Sequence, residues 1–356
     1  MTTSALINIG QLPWTDNDDR ITSIVCNEKL YVFERKYKKD GERVHNFAVF
    51  HTGNNFAIYD LTTHKLLKHA VHKELEVGGD KDELFFVKNN ELYLLTFSPT
   101  NQIELDAIFK FDVEQNEFRH LLKISGDTTF SAEYENQFCR LLSCGEDDKH
   151  NVYFLSDADQ ANGLVISLNM DEGKASRIIF ESSADTHIRC VMSKGVYHDN
   201  MIDVFYGHYG CGVMPCHRNV WRFDLKSRKH SILNVTVADN YNLGMTSIAF
   251  VKYVPQKDGI VVGRNYMNCG FAGRGGGIPQ FDGNLWLMHN VSTSHLSWTR
   301  IKSKVDGNSE KENNGVAFIN FDPETGVVVY GKKKDGIFME SISFEAGEPD
   351  IFENDE

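Results

Sequence analysis

The sequence lacks the features that would tie the protein to a membrane or to secretion. It has no uninterrupted apolar run of about 18 residues or more, which a membrane-spanning helix requires. Residues 1–20 have neither a basic start nor a sustained apolar core, so we expect no secretory signal. The sequence therefore predicts a protein that is neither inserted in a membrane nor exported.

Positive charge is also scarce. The chain has 37 Lys and Arg against 50 Asp and Glu, a formal net charge of −13. Because a protein neutralises phosphates with a basic surface, nucleic acid and anionic membranes are not expected as general partners. The short basic runs 36–39 and 332–334 are interpreted as solvated hairpin loops.

The cysteines are few and odd in number. There are seven: Cys26, Cys139, Cys144, Cys190, Cys211, Cys216 and Cys269. An odd count without a secretory signal favours reduced thiols, and so a cytoplasmic or alternatively nuclear location.

Signatures of catalysis are missing as well. The sequence has no nucleophile-elbow pattern, and the glycine-rich stretch 270–277 lacks the Gly-Lys-Ser/Thr ending of a phosphate-binding loop. The acidic triplet 146–148 is expected to be a solvated loop, because adjacent carboxylates act as acid and base only when burial separates their pKa values. We expect no cofactor and favour a protein without enzymatic activity.

Two clusters suggest metal sites, but both favour simpler interpretations. Residues 157–163 carry alternating oxygen ligands, yet Ala161 occupies a ligand position of a calcium loop, so a hairpin turn is preferred. Soft ligands are dense only at His208, Cys211, Cys216 and His217. Their spacing matches no strong zinc pattern, so we expect no bound metal and keep zinc as the alternative.

What the sequence does contain is a recurring hairpin. Val220 to Leu225 reads Val-Trp-Arg-Phe-Asp-Leu, which places apolar side chains on one face of a strand and Arg222 among the residues of the other. A polar turn and a second short strand follow, which makes a hairpin. Elsewhere, Asn89-Asn90 between two apolar stretches predicts a two-residue turn.

The hairpin recurs six times along the chain. The copies are aligned on Tyr59, Phe111, Leu168, Phe223, Met288 and Glu340, at separations of 52 to 65 residues. A period of this length, with several short strands in each unit, indicates four-stranded blades. We therefore predict an all-β fold: a single β-propeller, with six blades favoured and seven as the alternative.

The chain ends predict how the propeller closes. The last unit supplies three strands, near 315–321, 326–330 and 337–344, so residues 4–14 are expected to provide the fourth. The propeller would form one domain over residues 1–345, followed by an acidic tail at 346–356.

The hairpin pattern, an aromatic residue, Asp and an aliphatic residue before a polar turn, resembles the kelch repeat. Residues 219–233 and 284–298 match it best, and Trp298 lies near the position of the kelch tryptophan. The resemblance implies a β-propeller and an interaction module, a scaffold or an adaptor. The alternative is a propeller enzyme, a hydrolase, lyase or redox enzyme with a site in the central channel.

A partner surface is predicted on two long insertions in successive units, residues 207–218 and 264–281. They concentrate aromatic and arginine side chains, which dominate binding hot spots, on an otherwise acidic protein. The predicted partner-binding residues are His208, Tyr209, Arg218, Arg264, Tyr266, Phe271 and Arg274. The expected partner is a protein.

Overall fold

A computed structural model describes most of the chain. The residues it describes are 7–11, 20–37, 50–72, 81–98, 102–131, 141–156, 164–180, 194–205, 219–234, 246–267, 279–293, 296–302, 316–332, 336–342 and 344. Within these ranges the regular elements are strands, apart from one 3₁₀ turn at Pro255–Lys257. No helix in these ranges is long and apolar enough to cross a membrane.

The strands form six small sheets, which we call blades 1 to 6. The first strand of the chain is β1 (Ile7–Gly10). Blade 1 contains β2 (Arg20–Cys26), β3 (Lys29–Tyr37), β4 (Phe50–Asp60) and β5 (Lys65–Val71). Blade 2 contains β6 (Asp82–Lys88), β7 (Glu91–Ser98), β8 (Gln102–Asp112) and β9 (Glu117–Lys123), and two short strands follow, β10 (Ser125–Gly126) and β11 (Thr129–Ser131).

The remaining blades follow the same order. Blade 3 contains β12 (Leu141–Glu146), β13 (Asn151–Ser156), β14 (Leu164–Asn169) and β15 (Lys174–Ile178). Blade 4 contains β16 (Lys194–His198), β17 (Met201–Phe205), β18 (Asn219–Asp224) and β19 (Lys229–Asn234). Blade 5 contains β20 (Thr246–Val254), β21 (Gly259–Met267), β22 (Pro279–His289) and β23 (Ser297–Lys302). Blade 6 contains β24 (Val316–Asp322), β25 (Val327–Lys332) and β26 (Gly336–Ser341).

The fold is a six-bladed β-propeller, which confirms the predicted class and the favoured blade number. By its contacts the chain divides into two compact units. The N-terminal unit is Asp16–Val204 with Trp221–Ser231, and the C-terminal unit is Met1–Thr15, Phe205–Val220 and Ile232–Glu356. The single domain over residues 1–345 stays a prediction.

The N-terminal strand completes blade 6, as the sequence predicted. β1 pairs antiparallel with β26, with Ile7 opposite Met339 and Asn8 opposite Phe338. Gly336 has φ +106°, and a β-carbon there would lie 2.4 Å from the Gly10 carbonyl oxygen. The chain can approach β1 this closely only because position 336 is glycine.

Two-residue turns join the first and second strands of blades 1, 2 and 4. Both central residues have positive φ in each turn: Asn27 and Glu28, Asn89 and Asn90, Asp199 and Asn200. This is the type I′ geometry, whose twist matches that of the flanking strands. The turn predicted at Asn89-Asn90 is confirmed.

The aspartate of the repeated hairpin shapes the turn that follows it. The Asp60 carboxylate accepts the N–H groups of Thr62 and Thr63 at 2.9 and 2.6 Å. The same arrangement follows Asp112, Asn169 and Asp224. These are Asx turns, in which a short polar side chain replaces a backbone acceptor.

The aligned position of the six repeats is buried in every blade, including at Glu340. Glu340 accepts a hydrogen bond at 2.5 Å from the hydroxyl of Tyr330, which is itself fully buried. The residue two positions after the aligned one connects the two turns of its blade. The Leu61 N–H donates to the Glu28 carbonyl in blade 1, and the Ile342 N–H donates to the Gly326 carbonyl in blade 6. The sixth repeat, although its sequence is degenerate, therefore has the same geometry as the first.

Apolar side chains fill the space between neighbouring blades within each unit. In the N-terminal unit, Phe33 of blade 1 stacks on Phe85 of blade 2 at a centroid distance of 4.9 Å, and Phe86 meets Phe154 of blade 3 edge-to-face. In the C-terminal unit, Phe250 of blade 5 stacks on Phe321 of blade 6. Burying each such side chain contributes about 1.5–3 kcal/mol relative to leaving it exposed.

The segment after β9 links blade 2 to blade 3. It contains the short strands β10 and β11. β10 pairs in parallel with β15, and the Asp127 N–H donates to the Ala175 carbonyl at 3.0 Å. β11 then returns to pair with β8 of blade 2. The segment therefore covers part of the outer edge of blade 3.

Candidate interaction surface

The predicted partner-binding residues Arg264 and Tyr266 lie in β21, at the end of blade 5 away from the 3₁₀ turn. There β21 is the middle strand, with Ile248 and Thr246 of β20 opposite Arg264 and Tyr266. On its other side the pairing with β22 shifts between Gly263 and Asn265 and then continues to Met267 opposite Pro279. The backbone of both residues is thus held in a sheet that extends beyond a β-bulge.

The other five predicted residues lie outside the described residues. These are His208, Tyr209, Arg218, Phe271 and Arg274. The described strands nearest to them in sequence are β17, which ends at Phe205, and β18, which begins at Asn219 in blade 4. The structure therefore places two of the seven predicted residues, both in blade 5.

A second extended hairpin occurs in blade 1. The register of β3 and β4 shifts between Phe33 and Arg35, and pairing then continues to Tyr37 opposite Phe50. At this bulge the buried Glu34 carboxylate accepts hydrogen bonds from the backbone N–H and side-chain amide of Asn55, at 3.3 and 2.9 Å. A β-bulge bends its strand and increases the local twist, so the hairpin changes direction beyond Glu34.

A charged cluster crosses the first three strands of blade 4. Asp203 on β17 is fully buried, and Arg222 on β18 donates to both of its carboxylate oxygens, from Nε at 2.8 Å and from Nη2 at 2.7 Å. His198 at the end of β16 lies with Nε2 at 3.0 Å from Asp203 Oδ2. The cluster holds together the two strands that lead to residues 206–218.

The environment keeps Asp203 ionised. Burial acts most strongly and raises the pKa of Asp203, but the hydrogen bonds from Arg222 and His198, together with the charge of Arg222, outweigh it. The pKa of this carboxyl is therefore below its ordinary value. A carboxylate saturated in this way holds strands in place rather than transferring protons.

Sequence reasoning missed this cluster and expected Arg222 on a polar face. In the structure Arg222 is buried, as are Trp221 and Phe223 on the opposite face of β18. The available signal was Asp203 as the one charged residue of the short, otherwise apolar strand β17, and Arg222 between the aromatic residues Trp221 and Phe223 in β18. Opposite charges isolated in this way pair when the strands are neighbours.

The acidic triplet has structural partners, so the expectation of a simply solvated loop is wrong for two of its residues. Glu146 accepts hydrogen bonds from Lys88 Nζ and the Asn89 N–H of blade 2, both at 2.9 Å. Asp147 accepts from Asn151 and from the Tyr153 hydroxyl. Burial raises the pKa of Asp147, but these hydrogen bonds and the one from the Lys149 N–H lower it by more. The pKa of Asp147 is therefore below its ordinary value.

Several proposed ligand sites lie outside the described residues. They are the zinc alternative at His208, Cys211, Cys216 and His217, the calcium-like stretch 157–163, and the glycine-rich stretch 270–277. In the part of the chain that the structure describes, no three His, Cys, Asp or Glu residues are grouped as a metal site would require. Burial raises the pKa of the Cys144 thiol, which lies in this part, to about 12.

Comparison with known proteins gives a structural likeness. No protein-family model and no curated protein sequence matches the chain. Among solved structures it is similar to Kuenenia stuttgartiensis hydrazine synthase, with 12% identity and a TM-score of 0.43 over 88% of this chain and 72% of that one. At this identity and score the likeness assigns no activity to the chain.

Proposed function

We propose that the chain is a non-enzymatic protein-interaction module, a scaffold or adaptor built on a kelch-like propeller. Its partner surface consists of the extended end of blade 5 and the β17–β18 connection of blade 4. The residues assigned to it are His208, Tyr209, Arg218, Arg264, Tyr266, Phe271 and Arg274.

The observation that carries the proposal is the position of Arg264 and Tyr266 on the middle strand of a three-stranded extension. Arginine and tyrosine are enriched at binding hot spots because they join a large contact area to polar groups. Binding residues act best on a backbone that is already fixed, since less conformational entropy is lost when the partner docks. Pairing with β20 fixes the backbone at both residues, and at Tyr266 the pairing with Gln280 of β22 fixes it from the other side as well.

The buried charges of blade 4 support the same interpretation. Asp203 is saturated by Arg222 and His198 inside the blade, which suits a role in holding β17 and β18 together. We place this role in the cytoplasm or the nucleus, where an odd set of cysteines would remain reduced.

A triple variant tests the proposal. Tyr209→Ala, Arg264→Ala and Phe271→Ala together remove three predicted hot-spot side chains, and we expect recovery of the specific partner to fall at least about tenfold, the ratio for 1.4 kcal/mol. The measurement is affinity purification of the full chain from its native cells with quantitative mass spectrometry.

The matched control carries Gln256→Ala and Lys257→Ala, two exposed residues in the 3₁₀ turn at the other end of the β20–β21 hairpin. Partner recovery should be unchanged in this control. Equal recovery by the triple variant and the wild type would contradict the proposed surface.

A further inference from the structure

The outer strand of blade 1 exposes apolar side chains along a sheet edge. β5 is last in the strand order of its sheet and, among the described residues, pairs on one side only, with β4. Leu66, Leu67 and Val71 are 46, 50 and 63% exposed. An edge strand presents backbone N–H and C=O groups that can pair with another chain.

The charge of this strand is opposite in sign to that of the molecule. No acidic residue occurs from position 61 to 73, although the whole chain carries −13. The basic residues of β5 are Lys65, Lys68 and His69. Lysine alone would guard an edge against self-association, but it does not account for three exposed aliphatic side chains.

The outer strands of the next two blades differ from β5. β15 of blade 3 is partly covered by β10. On β9 of blade 2, Arg119 forms ion pairs with Asp112 and Glu117, at 3.0 and 2.8 Å. β5 thus combines an uncovered edge, exposed aliphatic side chains and the absence of acidic residues.

We propose that β5 binds an extended peptide segment of another protein that alternates acidic and aliphatic residues, by adding it as a further strand. Backbone hydrogen bonds would supply affinity, and the side chains of β5 would select the sequence. The acidic side chains would pair with Lys65 and with Lys68, whose Nζ also donates to the Val113 carbonyl of blade 2, and the aliphatic ones would cover the exposed leucines and valine. These residues are distinct from the partner surface proposed above.

Charge and composition favour this occupant over two others. A second copy of β5 would place like charges opposite each other, which destabilises strand pairing. A single-stranded nucleic acid would need a row of aromatic side chains on which its bases stack, and β5 offers only the ring of His69.

The probe is a fluorescein-labelled synthetic peptide of alternating glutamate and valine, added to the full chain and followed by fluorescence anisotropy. We expect saturable binding that weakens as salt is raised, because exposed charge pairs are screened. A peptide of the same charge in which alternate valines are replaced by proline should bind at least about tenfold more weakly, since proline cannot donate to a strand ladder.

Two charge-matched variants locate the site. Lys65→Glu with Val71→Glu should weaken binding at least about tenfold. Lys174→Glu with Ile179→Glu makes the same changes at exposed positions in and just after β15, and it should bind like the wild type. All four side chains are exposed, so both variants should keep the wild-type melting midpoint.

Three results would overturn the proposal. They are unchanged binding by the Lys65→Glu, Val71→Glu variant, equal loss of binding in the β15 control, and equal binding of the proline-containing peptide. Competition by a single-stranded oligonucleotide at the affinity of the acidic peptide would also count against strand addition and assign the surface to nucleic acid.

Discussion

Asp203 shows how much depends on a single side chain in this protein. Its carboxylate receives both Arg222 hydrogen bonds and lies within hydrogen-bond distance of His198, with no exposure to solvent. A buried pair of this kind adds little net stability over apolar packing, but removing one partner leaves the other charge buried and uncompensated. The effect of the cluster on the free energy of unfolding therefore shows only when one of its members is removed.

We expect Asp203→Asn to lower the free energy of unfolding by about 3–5 kcal/mol at neutral pH, measured by urea denaturation. Asp199→Asn is the matched control, because Asp199 is exposed and lies 3.9 Å from His198 Nδ1. It should change stability little. A double variant, Asp203→Leu with Arg222→Leu, should lose less than Asp203→Asn alone, and an equal or greater loss would contradict this account.

The lowered pKa of Asp203 predicts that the stability of the protein depends on pH. The pKa of Asp203 is lower in the folded state than its ordinary value of about 3.9, so its contribution is complete above that pH and is lost as the pH falls through the folded pKa. The stability difference between wild type and Asp203→Asn should therefore shrink on acidification. A difference that stayed constant down to the acid unfolding of both proteins would contradict this assignment.

Sequence analysis missed this cluster because its members are separated along the chain. Asp203 and Arg222 are brought together only by the pairing of β17 with β18. By contrast, the turn at Asn89-Asn90 depends on two adjacent residues, and the sequence predicted it correctly.

At the scale of elements, local hairpins were predictable and their extensions were not. In the first four repeats an aspartate or asparagine accepts hydrogen bonds from residues two and three positions later, so the pattern predicts the turn directly. The bulges in blades 1 and 5 depend on the exact register between consecutive strands, and the β10–β15 pairing joins segments that lie far apart in sequence. Residue types alone carry no signal for such contacts.

The β10–β15 pairing provides a test at this scale. Gly126 has φ +85°, and a β-carbon there would lie 2.4 Å from the Ala175 carbonyl oxygen. We therefore expect Gly126→Val to abolish the pairing and to remove amide protection at Ser125 and Asp127, measured by hydrogen exchange with mass spectrometry.

The control for this test is Ser125→Ala, which removes the bond from Ser125 Oγ to the Gly173 carbonyl and keeps the backbone pairing. Amide protection should persist in it. Protection that persisted equally in the Gly126→Val protein would mean that β10 does not depend on the close approach at Ala175.

At the scale of the whole molecule, the number of strands in each repeat predicts how the propeller closes. Blade 6 receives three strands from the end of the chain and β1 from its beginning, as the sequence predicted. The repeat spacing was enough for this, because the last unit is one strand short of the four that each repeat contains. The partner surface could not be predicted with the same certainty, since spacing contains no information about what a loop contacts.

We expect deletion of residues 1–14 to lower the melting midpoint by about 5 °C or more and to promote aggregation, because it uncovers the edge of β26. Calorimetry and light scattering are the measurements. A synthetic peptide of residues 4–14 should restore the midpoint. Deletion of residues 346–356 is the control and should leave it unchanged, whereas equal effects of the two deletions would contradict a closing role for β1.

The pairing of β1 with β26 also sets an order of events during synthesis. Gly10 and Gly336, which approach each other in the finished blade, are separated during synthesis by all the residues between them. At roughly 5–20 residues per second, the ribosome needs on the order of half a minute to travel between them. Throughout that interval Ile7 and Ile9 have no β26 to pack against, so the nascent chain presents an unpaired apolar strand to chaperones until its final blade emerges.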